Sequence, residues 1–284
     1  MKSPEQYVNR NQEDKSMTTE KRTITSHVTI TIALTVLAAT LCVSGCSRKM
    51  ENRYDNGQLK EKYEVKKYAA GNFIKHGSFA SWYENGKQKQ QGNFKDGKQD
   101  GKHTFWYASG QKESEGSFKE DQKTGVWIEW YENGQKKSEG PFDNNKKTGM
   151  WTEWYENGKK KSETKFKDNQ RTGKSISRYE NGNIKNEGAF ENNQRTGKWV
   201  VWYENGTKNF EGEFKNGKEN GVWTYWYQNS AKASEGSYID GKKTGKHTTW
   251  YDNGQKKSEG EYQDGQRSGE WLLWDQQGTL IQTN

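Results

Sequence analysis

Four histidines, two cysteines and a Gly-Lys-Ser run are the residues of this 284-residue chain from which a reaction centre or metal site could be built. His27 lies within the N-terminal segment 1–45 that reads as a removable signal, and His76 in an irregular stretch, while His103 and His247 hold the position that Trp127 holds in a repeating pattern. His103 and His247 read as substituted packing residues. No histidine has a metal-ligand spacing to another His or Cys. Gly173-Lys174-Ser175 imitates the end of a phosphate-binding loop, but the glycine required five residues earlier is Asp168. Asp/Asn-rich stretches such as Asp143-Asn144-Asn145 lack the glycine and distal glutamate of a calcium loop, and ordinary turn chemistry explains them. Glutamates recur as Glu115, Glu139, Glu163, Glu187, Glu211, Glu235 and Glu259. Glycoside hydrolysis needs one matched carboxylate pair in a cleft, whereas a ladder of Glu beside Lys reads as a solvated face. Active sites are singular, and here every distinctive residue is repeated. The expectation is therefore no enzyme, no catalytic residue, no metal, no cofactor and no nucleic acid.

Binding is the chemistry left. Trp82, Trp106, Trp130, Trp154, Trp202, Trp226, Trp250 and Trp274 form a row at a fixed interval, interleaved with charge. Exposed aromatic rows mark recognition surfaces. The competing reading makes both tryptophan series structural, because a single sheet must cover two sides. That reading is preferred.

These residues are positioned by a period of 24. It is carried by Tyr83, Tyr107, Tyr131, Tyr155, Tyr179, Tyr203, Tyr227 and Tyr251, by a glycine series from Gly77 to Gly269, and by an aromatic series from Phe94 to Tyr262. In the unit beginning at Gly125, two short runs flank Asn133-Gly134, the dipeptide of a two-residue type I′ hairpin. The fold expected is all-β: an elongated antiparallel meander of stacked β-hairpins, preceded by a signal-peptide helix. With a two-residue loop, Tyr131 opposes Lys136, Glu129 opposes Ser138, and Trp127 opposes Gly140. Trp127, Tyr131 and Phe142 then share one face, with Gly140 leaving room for the indole. Ile128 and Trp130 share the other with Lys137 and Glu139. Nine units at two strands each give a ribbon on the order of 80–90 Å. Segment 51–77 suits an N-terminal cap, and Leu272, Leu273, Leu280 and Ile281 a closing hairpin. One unit departs, with Ser175 and Arg178 in the two tryptophan positions and Thr164 for glycine. A weak point or bend is expected there, and drift in a redundant array is the simplest cause.

Composition fits thin aromatic layers. Only 28% of residues are hydrophobic and the mean hydropathy is -1.39, which alone would suggest disorder, yet there are 13 Trp, 15 Tyr and 10 Phe. Residues 28–45 are an uncharged, mostly apolar run behind Lys21 and Arg22, the order of a secretory signal. An uncleaved membrane span is the lesser alternative at that length. The true start is Met1 or Met17. Without residues 1–45 the chain keeps 41 basic and 34 acidic residues, a net charge of +7.

Val43-Ser44-Gly45-Cys46 resembles the bacterial lipobox. The resemblance implies cleavage before Cys46 and a diacylglycerol on its sulfur, palmitate among its acyl chains. It divides the chain into an extension and signal (1–45), a lipidated tether (46–53) and a repeat array (54–284). The place implied is the cell envelope outside the cytoplasm, with Ser47 favouring the outer of two membranes. The unit G-x-W-x-x-W-Y-x-N-G-x-x-x-x-E-G-x-F, from about residue 54 to 280, resembles the bacterial MORN-repeat variant, many members of which are labelled YwqK-type antitoxins. That resemblance implies stacked hairpins in contact with protein or membrane, and a toxin held inactive. An exported address narrows the last to immunity against an exported toxin. The partners expected are the membrane through Cys46 and an unidentified protein, which includes such a toxin. The alternatives are a cell-wall glycan on the tryptophan row and anionic lipid on lysine-rich turns.

Overall fold

The computed structural model describes residues 47–68 and 71–283. The expected signal helix, Cys42 and Cys46 lie outside them. Among the described residues no helix is long and apolar enough to cross a membrane.

Twenty-two strands, from Ser47–Arg53 to Leu280–Thr283, form a single sheet. Successive long strands pair antiparallel, as in Gly125–Trp130 against Lys136–Phe142, and the two-residue strands Lys98–Gln99 and Lys146–Lys147 pair only with the strand before them. The expected meander is therefore the fold. Segment 46–53, expected as a tether, supplies the first strand: Ser47–Arg53 pairs with Leu59–Lys66. Its polar sequence carries no alternation because it is an edge strand, exposed along most of its length.

The Asn-Gly turn is not the expected type I′ turn. Asn133 has no positive φ; Gly134 alone has one, at 85°. Gly134 N–H donates to Tyr131 O at 2.9 Å, and Tyr131 N–H donates to Gln135 O at 2.8 Å. This is a three-residue loop, a turn closed by a left-handed glycine. The two-residue type I′ turns lie between the hairpins instead. Asn144 and Asn145 have φ of 48° and 65°, and Asp143 pairs directly with Lys146.

Despite the wrong loop length, most of the expected register holds. The three-residue loop sets Trp130 opposite Lys136, so Tyr131 does not oppose Lys136. A β-bulge at Lys137 then restores Glu129 opposite Ser138 and Trp127 opposite Gly140. Lys136, and not Lys137, therefore stands by Trp130. Lys137 turns to Tyr131, its Nζ 5.9 Å from the ring centroid.

One face of the sheet carries a ladder of rings. Trp127 is 1% exposed and stands edge-on to Phe118 and Phe142 at 4.9 and 6.3 Å. Each such contact adds about 0.5–1.5 kcal/mol beyond area burial. The indole does not lie over Gly140 of its own unit but over Gly116 of the preceding one. A Cβ there would collide with Trp127 Cδ2, and Trp151 covers Gly140 in the same way. Indole Nε1 donates to the carbonyl ten residues earlier: Trp127 to Ser117, Trp151 to Pro141 and Trp199 to Ala189, at 3.0–3.1 Å. Packing thus couples each unit to the one before it.

Turns are coupled as well. Nine tyrosine hydroxyls donate to a backbone carbonyl one unit on, at 2.6–2.9 Å, from Tyr54 onto Trp82 to Tyr251 onto Trp274. At the opposite margin, Asn145 accepts from Lys123 N–H through its side chain and donates to Lys123 O from its backbone. The departing unit keeps its pairing, with Glu163 opposite Ile176 and Thr164 opposite Ser175. Tyr155 still reaches the Arg178 carbonyl, which any residue supplies. The rings are lost there, but the sheet's hydrogen bonding is not. At the C-terminus Leu280 pairs with Trp274 as a closing hairpin, yet Leu280 and Ile281 stay exposed.

Candidate functional site

The row Trp82, Trp106, Trp130, Trp154, Trp202, Trp226, Trp250 and Trp274 is half-buried throughout. Each member ends its strand beside the three-residue loop, where the bulge begins. Pleating sends its ring to the face opposite Trp127. Its backbone carbonyl is the acceptor of the tyrosine ladder, so the row is structural through its main chain and half-exposed through its rings.

A second ladder covers those rings. Lys112 Nζ lies 5.4 Å from the Trp130 centroid, Lys136 5.7 Å from Trp154, and Lys232 5.2 Å from Trp250. Each lysine comes from the unit before the ring it caps and also donates to a glutamate three residues on. Lys112–Glu115, Lys136–Glu139 and Lys256–Glu259 are 2.9, 2.7 and 2.8 Å. A further lysine joins some units, as in Lys246–Glu259 at 2.7 Å. Lysine hydrogen bonds hold the Glu115, Glu211 and Glu235 carboxyls below the usual range. Two lysines bring Glu259 down to about 2. The face is thus a row of rings, cations and carboxylates in which ten lysines pair with seven glutamates, so positive charge is in excess. The row breaks at Arg178. The ladder of Glu beside Lys was readable from spacing, but the lysine cap on each ring was not, because it crosses between units.

The residues weighed for chemistry are placed otherwise. His103 is 0% exposed, and its Nε2 is 2.8 Å from Asn93 O, the bond an indole makes in other units. His247 repeats this with Ser237 O at 2.8 Å. Burial pushes both below the ordinary histidine value. His76 Nδ1 lies 3.2 Å from Asp96 Oδ1 at the surface. Gly173 sits at a bulge with φ 61°, and the Ser175 hydroxyl is buried against Thr164 at 2.8 Å, so no phosphate cradle forms. Among the described residues, no group of three or more His, Cys, Asp or Glu could hold a metal ion.

A family model described as "MORN repeat variant" matches residues 75–96, 99–120, 123–144, 147–168, 171–192, 195–216 and 243–264. From 99–120 onward each match runs from one type I′ turn to the next, which is the hairpin built around one three-residue loop. A solved structure entitled "Crystal Structure of TcdB2-TccC3" aligns over 80% of this chain at 9% identity with a TM-score of 0.21; the chain spans 13% of that one. No curated protein matches.

Proposed function

This chain belongs to the MORN repeat variant family, and from that premise we propose that it is a non-enzymatic interaction module. It is lipid-anchored through Cys46 at the cell envelope, outside the cytoplasm, with the outer of two membranes favoured. Its partner is a protein, and an exported toxin neutralised at the envelope is the form suggested by the antitoxin resemblance. The observation that carries the reading is the Trp–Lys–Glu face, which recurs unit after unit with no singular residue. Half-exposed rings bordered by matched ion pairs suit a protein surface of alternating apolar and charged groups.

The test is crosslinking on intact cells followed by partner identification, with retention of the partner by the 47–284 fragment as the direct check. Simultaneous Trp130→Ala and Trp154→Ala substitution is expected to release the partner. Retention by that variant would remove the row from the interface. Binding to isolated wall polymer that is lost with the same tryptophans would replace the protein partner with a glycan. Liposome binding that falls steeply with salt would instead favour anionic lipid.

A further inference from the structure

In the departing unit an indole is missing from an otherwise regular ladder. Trp127 bridges Phe118 and Phe142, and Trp223 bridges Phe214 and Tyr238. Beyond Phe142–Trp151 at 5.0 Å, the next link among the described residues is Phe190–Trp199, also at 5.0 Å. Ser175 and Thr164, two small side chains bonded to each other, stand between them, with Glu153, Ser162 and Asn186 nearby on the same lining. A cavity of about 320 Å³ remains, walled by Phe166 and Phe190 and closed along the ribbon by Trp151 and Trp199. An engineered cavity of about 150 Å³ is enough to hold benzene. Small-molecule sites begin at roughly 300 Å³.

Three further features specify what fits. Ser177 Oγ, on the lining, is buried without a hydrogen-bond partner. The Arg171 guanidinium lies 4.1 Å from the Phe190 centroid and that of Arg195 4.8 Å from Trp199, and both line the cavity. The carbonyl that takes the indole N–H of Trp127, Trp151 and Trp199 has its counterpart here at Lys165, ten residues before Ser175. We infer that this cavity binds a small planar heteroaromatic acid of indole size. Its ring takes the place of the missing indole between Phe166 and Phe190, and its ring N–H points to the backbone. Its carboxylate meets Arg171 and Arg195. Among the described residues no other unit joins a ring vacancy to two guanidinium groups.

Titration calorimetry of the full chain with indole-3-acetate tests this, with indole as the uncharged control. Saturable one-site binding with Kd below about 1 mM is expected. Indole should bind several-fold more weakly, and Arg171→Gln should reduce the acid to the level of indole. Ser175→Trp, which restores the ladder, should abolish binding and raise Tm; Ser175→Phe serves if that variant does not fold. No saturable heat at millimolar ligand would overturn the inference, as would binding unchanged by a folded Ser175 variant. Trp154→Ala, in the interaction row, should leave this binding intact, which separates the cavity from the function proposed above.

Discussion

At the scale of single residues, the ladder depends on contacts with no slack. Gly116 has no side chain because Trp127 rests on its Cα, and a methyl group there would collide with the indole. Gly116→Ala should therefore cost about 1–3 kcal/mol through overpacking, read as a lower urea midpoint at unchanged m. An unshifted midpoint would mean that the indole moves aside freely. His103 and His247 make a second prediction. Their native values lie below the unfolded one because burial disfavours the charged ring. The unfolded chain therefore binds more protons below about pH 6.5. Stability is fully present above that value and falls as pH drops toward the native values. Glu259 does not share this window: its native value of about 2 makes its contribution fall only below the unfolded carboxylate value, near pH 4.3. Melting between about pH 7 and pH 5 should show a drop that shrinks in His103→Trp, and a drop identical in that variant would assign it elsewhere.

Elements explain why such thin layers hold. Each hairpin is tied to the next by its tryptophan, by its tyrosine hydroxyl and by its turn side chains. Tyr131→Phe removes only the bond to the Trp154 carbonyl and should cost about 1 kcal/mol. A loss much smaller than that, seen in chemical denaturation, would mean that water replaces the hydroxyl at no cost. The sequence made the hairpins legible because glycine, tryptophan and tyrosine recur without any change of interval. It also placed Glu129 opposite Ser138 and Trp127 opposite Gly140. The turn was misread because Asn-Gly serves two geometries. A type I′ turn needs positive φ at both residues, whereas the three-residue loop needs it only at the glycine and frees the Asn133 side chain to bond Glu156 O in the next unit. The bulge at Lys137 was invisible because a solvated lysine carries no mark of backbone irregularity. Glycine's true partner was missed because packing between units depends on inter-hairpin register, which a single unit does not encode. The tryptophan row itself was legible from spacing, but its lysine caps were not, for the same reason.

Across the whole molecule, a sheet made of near-neighbour contacts has no central core to average out local defects. Among the described residues the last strand pairs only with Gln266–Trp274, and it leaves Ile281 62% exposed. Such an edge invites strand addition by another chain. Sedimentation should show association that rises with concentration and is relieved by Ile281→Lys, and a monomer at all concentrations would dismiss the edge as a contact. The unit from Gln170 to Glu191 poses the sharper test. Stability in such arrays is close to a sum of unit and interface terms, so one poor unit cannot borrow from distant good ones. Its backbone pairing matches its neighbours, but it lacks an indole worth about 3–5 kcal/mol when removed from a packed site. The ladder should therefore open first there. Hydrogen exchange followed by mass spectrometry should find the amides of Gln170–Arg178 exchanging faster than those of Gln194–Trp202, which have the same register but retain Trp199. Uniform protection across both strands would show that backbone hydrogen bonds, and not rings, set the stability of each unit. Faster exchange confined to the ring-poor unit would make the aromatic ladder the source of the array's cooperativity.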